Sequence, residues 1–195
     1  MQRKIDHNNT PREVTTLAVF PTLLHSSANF LSAEKLSELE DAARDKIDVS
    51  DDAVKASVLD FAVSALTAAQ VDLDHYTAIE LTEIWFNVLQ PSDHHWDHTH
   101  ANHILSGVLY LTDECFTIFA DPRPAASVLS LTYKDSSPGI ARSFIYKGVR
   151  NSIVVFPSWL AHRVATTPHL RKTIAFNLML RGHYGGPLSR EQVTL

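Results

Sequence analysis

Leu81-Thr-Glu-Ile-Trp-Phe-Asn-Val-Leu89 alternates Ile84, Phe86 and Val88 with Glu83, Trp85 and Asn87. A period of two sends the two sets to opposite faces of a strand. From about residue 75 onward that period persists, with short apolar runs at 104–111, 116–120, 128–134, 142–147, 151–156 and 172–180. Pro-Ser-Asp at 91–93, Asp-Pro-Arg-Pro at 121–124, Ser-Pro-Gly at 137–139, Lys-Gly at 147–148 and Thr-Pro at 167–168 separate them as turns. About seven strands at even spacing predict a sandwich or jelly roll.

Upstream of the strands the period changes. Residues 1–13 are polar without apolar periodicity and are expected to be flexible, and Val14–Leu24, with Pro21, predicts a short strand and a turn. Ser32 is placed to cap a helix whose stripe is Leu36, Leu39, Ala43 and Ile47. Ser50 is placed to cap a second, with Asp51 and Asp52 in its positive first turn and Val54, Val58, Phe61, Ala65 and Ala69 on one face. Helices followed by a run of strands make the fold class α+β, mainly β, with the N-terminal helices packed on one sheet. The expected organisation is a single domain over 1–195, with helical support at 32–70 and a jelly-roll core at 76–182.

The chain has 195 residues, 45% of them hydrophobic and 20% charged. That length buries enough surface to need no disulfide or zinc staple. A net charge of −5 without a basic block makes nucleic acid an unlikely partner and argues against an anionic membrane surface. The single cysteine, Cys115, cannot form an internal disulfide. No apolar stretch of about 18 residues and no charged-then-apolar leader occurs, so the expected compartment is the cytoplasm. The expected partner is a small-molecule or peptide substrate, with a homodimer as a further expectation for a sandwich whose second sheet lacks helices.

Five of the 11 histidines lie at 94, 95, 98, 100 and 103, in Asp93-His-His-Trp-Asp-His-Thr-His-Ala-Asn-His103. The segment follows one strand and precedes another, so it reads as a strand end and turn. His98 and His100, two apart on extended chain, can face one ion if a third ligand arrives from elsewhere. A polar, solvated turn is the alternative for that pair alone. Two further features bear on the choice. His162 follows the buried strand Ile153–Phe156 and the turn at Pro157-Ser158, at the head of the next connection. Arg171 opens an apolar strand, and a buried guanidinium requires an anion. If no protein carboxylate supplies that anion, a bound carboxylate does, with Thr173 two residues on adding a hydroxyl.

His98-Thr-His-Ala-Asn-His-Ile-Leu-Ser-Gly-Val-Leu-Tyr-Leu111, Phe156-Pro-Ser-Trp-Leu-Ala-His162 and Arg171-Lys-Thr-Ile-Ala-Phe-Asn177 resemble, in order and spacing, the 2-oxoglutarate/Fe(II)-dependent oxygenases. The likeness is closest to a small group carrying His-x-His before Ser-Gly-Val-x-Tyr. Trp85-Phe-Asn87 and Phe119-Ala-Asp-Pro-Arg123 resemble the same group, and the similarity spans roughly 80–180. The resemblance implies a double-stranded β-helix holding Fe(II) at one mouth, with His98 and His162 as ligands. It places Arg171 and Thr173 on the far carboxylate of 2-oxoglutarate, with Tyr110 adding a hydroxyl and Asn87 lining the pocket. It implies oxidation, in the first instance hydroxylation, of an unidentified substrate with release of succinate and carbon dioxide.

The chain departs from the wider family at one position. Most members carry His-x-Asp, and here the matching residue is His100. Three readings of the third ligand stay open. His100 completes a three-histidine face, which iron accepts readily; or His95-Trp-Asp97 is the true His-x-Asp, with Asp97 as ligand; or only His98 and His162 bind, with water. His94 and His103 are expected to support the site or be solvated. Trp96, Trp159, Arg123 and Tyr133 are candidates to line the opening. Two rival functions remain: a cupin-type metal dioxygenase or isomerase that does not use 2-oxoglutarate, and a non-enzymatic jelly-roll binding module.

Overall fold

The structure is a computed structural model describing residues 21–44, 47–123, 142–185 and 192–195. The expectations for residues 1–13, for the start of the Val14–Leu24 strand, for the strand at 128–134 and for Tyr133 lie outside the described residues. The elements are β1 (His25–Ser27), α1 (Ala33–Ala42), α2 (Asp52–Ala68), a 3-10 turn (Leu73–His75), β2 (Tyr76–Leu89), β3 (His95–His98), β4 (Leu105–Tyr110), β5 (Cys115–Ala120), β6 (Ser143–Gly148), β7 (Ser152–Pro157), β8 (His162–Val164), β9 (Arg171–Tyr184) and β10 (Val193–Thr194).

Among the described residues all pairings are antiparallel, in two sheets. The larger runs β1-β7-β4-β9, with β2 along the other edge of β9 and β10 at its far end; the smaller runs β3-β8-β5-β6. Two sheets of this kind, with the chain crossing between them at β2–β3, β3–β4, β4–β5, β6–β7, β7–β8 and β8–β9, form the expected jelly roll.

Side-chain parity divides the interior into two layers. Phe86 of β2, Leu109 of β4, Ile153 and Val155 of β7, and Ile174, Phe176 and Leu178 of β9 pack against Leu36 and Leu39 of α1 and Val54, Val58 and Ala62 of α2. The opposite face of the same strands carries Val108, Tyr110, Val154 and Phe156, which meet Cys115 and Phe119 of β5 between the sheets. The helices therefore close one face of the large sheet, and the other face is free to line a cavity.

Four expectations are corrected by the structure. Helix α1 ends at Ala42, and Ile47 lies outside it with 75% of its surface exposed. The second helix is capped by Asp51, not Ser50: the Asp51 carboxylate accepts from the Val54 amide at 3.0 Å and pairs with Lys35 at 2.8 Å. An anionic cap at a helix N-terminus interacts with the dipole more favourably than a hydroxyl. His95–His98, read as a turn, is a strand, and His162, read as a connection, opens β8. The two are partners, with His98 opposite His162. Each strand is too short, at four and three residues, for periodicity to reveal it.

Candidate active site

His98 and His162 face each other across the β3–β8 ladder, where directly opposed side chains approach within contact distance. His100 follows β3 on a loop pinned by its amide donating to the Ser158 carbonyl at 3.0 Å. The ring centroids of His98 and His162 are 4.3 Å apart, and His100 lies 5.2 Å from each. One nitrogen from each of the three lies within 4.8 Å of the others.

The backbone sets the tautomers. His98 Nδ1 is 2.8 Å from the Trp96 carbonyl and His162 Nδ1 is 2.9 Å from the Leu160 carbonyl. A carbonyl only accepts, so each Nδ1 carries the proton and each Nε2 keeps its lone pair, an assignment drawn from the hydrogen-bond network. Burial lowers the His162 pKa to about 4 and lowers that of His100 as well. Both rings are neutral at pH 7, the protonation state that binds a cation.

The histidines open into a cavity of about 110 Å³, continuous with solvent, whose wall includes Trp85, Asn87, His95, Ser106, Val108, Thr117, Phe156, Val164, Arg171 and Thr173. Arg171 is only 3% exposed. Its Nη1 donates to Thr173 Oγ1 at 3.2 Å, its guanidinium carbon sits 5.9 Å from the Tyr110 ring centre, and its buried Nε has no partner. Among the described residues no carboxylate pairs with it, and burial lowers its pKa. A desolvated cation with an unused donor, at the wall of a cavity, is a site for an anion.

The remaining candidates separate. Asn87 and Thr173 are opposite each other in the β2–β9 register and both line the cavity. Tyr110 was expected to offer its hydroxyl there. It is instead fully buried and bonds Thr117 Oγ1 at 2.8 Å, so Thr117 takes its place on the wall. The carboxylate of Asp97, the alternative third ligand, lies 3.2 Å from Arg163 and is outside both the cavity wall and the histidine cluster. The β3–β8 register shifts between His95 and His98, so both of these line the cavity while Trp96 and Asp97 between them do not.

His94 stacks edge-on against Trp96 at 4.6 Å, and His103 Nε2 lies 3.8 Å from Glu83. Trp96, 80% exposed, is not on the wall; neither is Trp159, nor Arg123, which is ion-paired with Asp121. Trp85, Ser106 and Thr117 are among the wall residues to which the sequence assigned no role. Each shares strand parity with a recognised inward residue: Trp85 with Asn87, Ser106 with Tyr110, Thr117 with Phe119.

Residues 83–177 match the family described as "Putative 2OG-Fe(II) oxygenase". No curated protein matches the chain. Among solved structures, a Pseudomonas putida prolyl-4-hydroxylase is 17% identical with a TM-score of 0.57, covering 86% of this chain and 89% of its own. A viral collagen prolyl hydroxylase from Paramecium Bursaria Chlorella virus-1 is 10% identical with a TM-score of 0.54, covering 87% and 98%. HygX from Streptomyces hygroscopicus, solved with nickel and 2-oxoglutarate, is 13% identical with a TM-score of 0.51, covering 81% and 82%. At these identities the likeness establishes a shared fold.

Proposed function

We propose that the chain, whose residues 83–177 match the family described as "Putative 2OG-Fe(II) oxygenase", is a 2-oxoglutarate- and Fe(II)-dependent dioxygenase with a metal face of His98, His100 and His162. Arg171 and Thr173 bind the far carboxylate of 2-oxoglutarate, and Asn87 borders the same pocket. The observation that carries the reading is the unpaired, buried Arg171 in the cavity of the three histidines. A cupin-type enzyme without 2-oxoglutarate has no use for that cation and would salt-bridge it to a protein carboxylate.

The residues fit the groups. Three imidazoles, each bringing one nitrogen within 4.8 Å of the others, suit a divalent iron and leave positions for exchangeable ligands. Bound there, Fe(II) would supply a centre that activates dioxygen, the oxidant, and 2-oxoglutarate would supply two of the four electrons in becoming succinate and carbon dioxide, the substrate C–H bond supplying the other two. The chain's own residues position and shield. The Trp96 and Leu160 carbonyls hold the His98 and His162 rings. Val108, Phe156 and Val164 form apolar wall that excludes water. Arg171 neutralises the cosubstrate carboxylate in a poorly solvated place, where that charge pair is strongest. The substrate is a small molecule or a peptide, and its hydroxylation is the proposed outcome.

Titrating metal-free protein with Mn(II), with 2-oxoglutarate added second, tests the ligand set. His98→Ala, His100→Ala and His162→Ala should each lose metal binding, and Asp97→Ala should keep it. Loss in Asp97→Ala with retention in His100→Ala would overturn the three-histidine face.

A further inference from the structure

A histidine-only face leaves a divalent ion without the negative charge that a carboxylate ligand contributes. One carboxylate nevertheless reaches this region by another route. Glu83 of β2, Asn177 of β9 and Ser106 of β4 form a row across the large sheet, Glu83 opposite Asn177 and Asn177 opposite Ser106. Their side chains are bonded end to end. Asn177 Nδ2 donates to Glu83 Oε2 at 2.6 Å, Ser106 Oγ donates to Asn177 Oδ1 at 2.7 Å, and Ser106 and Ser158 hydroxyls are 2.9 Å apart. Glu83 is the acceptor that fixes the order. With the Asn177 amide nitrogen committed to it and the Ser106 proton to Asn177, Ser158 must donate to Ser106. Asn177, Ser106 and Ser158 are all buried, and such a chain holds together only when every member is satisfied.

The far end of the row is the loop that carries His100. The Ser158 carbonyl accepts the His100 amide, and the Ser158 amide donates to the Ile104 carbonyl, both at 3.0 Å. Ser158 therefore ties the loop at His100 and again at Ile104. Trp85, next along the inward face of β2 from Glu83, lies 6.4 Å from the His100 ring, and His103 on the same loop is 3.8 Å from Glu83.

We propose that Glu83 is a positioning residue for the metal face: through Asn177, Ser106 and Ser158 it fixes the His100 loop and brings to that side of the site the negative charge that three imidazoles lack. The inference rests on the metal reading above and has its own signature, a dependence on charge at constant shape. Glu83→Gln keeps an acceptor for Asn177 without the charge, and Glu83→Lys reverses it. The Glu83 side chain is half exposed, so both variants are expected to fold.

The measurement is Co(II) affinity by competition titration, with the melting temperature of the metal-free protein alongside, on wild type, Glu83→Gln, Glu83→Lys, Glu83→Asp and His162→Ala. Glu83→Gln should weaken Co(II) about tenfold, the low end of the loss for groups that support metal ligands. Glu83→Lys should be weaker still and Glu83→Asp should recover part of the loss. Metal-free melting temperatures of the Glu83 variants should stay within about 2 °C of wild type. If Glu83→Gln and Glu83→Lys bind Co(II) as wild type does while His162→Ala does not, the role of Glu83 is refuted and the metal face stands. If affinity falls only in step with melting temperature, regardless of charge, Glu83 is structural. Failure of wild type to bind Co(II) overturns the metal reading itself.

Discussion

Replacing Arg171 by methionine should make the metal-free protein more stable and blind to 2-oxoglutarate. Arg171 is 3% exposed in the fold and, among the described residues, bonds Thr173 alone and leaves its Nε without a partner. Replacing buried ion pairs by apolar side chains of similar volume is often neutral or stabilising by about 1–4 kcal/mol. Arg171 has no counter-charge to offset its desolvation, yet it borders a cavity open to solvent, so the gain should fall at about 1–2 kcal/mol. For a chain of this length that raises the melting temperature by roughly 3–6 °C. The wild type should gain about 2.7 kcal/mol from 2-oxoglutarate at a hundred times its Kd, with Mn(II) present, and the variant nothing. Thermal melts of both proteins, with and without 2-oxoglutarate, read both effects. A variant that melts well below wild type, or that keeps the 2-oxoglutarate shift, would show that Arg171 serves the fold instead of an anion.

Other perturbations separate packing from chemistry. Gly107→Ala would drive a methyl into the Phe176 ring and to 2.8 Å from the Val154 carbonyl, so urea denaturation should show a loss of about 1–3 kcal/mol. Asp51→Ala removes the α2 cap and the partner of Lys35 and should lower stability by about 1 kcal/mol in the same assay, whereas Ser50→Ala should leave it unchanged. The His162 pKa is depressed in the fold from 6.5 to about 4, so the unfolded chain takes up its proton first. The stability from keeping this ring neutral is complete above pH 6.5. It is lost as pH falls from 6.5 toward 4, by up to about 3 kcal/mol in metal-free protein, and His162→Gln should flatten that part of the profile. Burial also pushes the Cys115 thiol up; native protein should resist iodoacetamide at pH 8 and react once unfolded.

Long, regular elements were legible in the sequence, and short or context-dependent ones were not. The alternation in Leu81–Leu89 and in 172–180 marks β2 and β9 because each buries one face against helices and turns the other to the cavity. Strands β3 and β8 escaped because their pairing, His98 opposite His162, is a tertiary fact. Ser50 and Asp51 both satisfy the local rule for a cap, and Lys35, sixteen residues away, favours the aspartate. At the candidate site the residue types of His98, His100, His162 and Arg171 pointed to a shared chemistry. Tyr110 illustrates the limit: its parity points it between the sheets, but its hydroxyl reaches Thr117 before it reaches the cavity. Glu83 was legible only as one polar residue of an alternating strand, since its role rests on three partners from three other segments.

The central claim is that one cavity holds iron through three histidines and 2-oxoglutarate through Arg171. Anaerobic addition of Fe(II) and then 2-oxoglutarate should produce the weak visible charge-transfer band of an iron–keto-acid chelate in wild type, and no band in His162→Ala or Arg171→Met. A wild type that binds Fe(II) without the band, or an Arg171→Met variant that shows it at full intensity and wild-type affinity, would contradict the account.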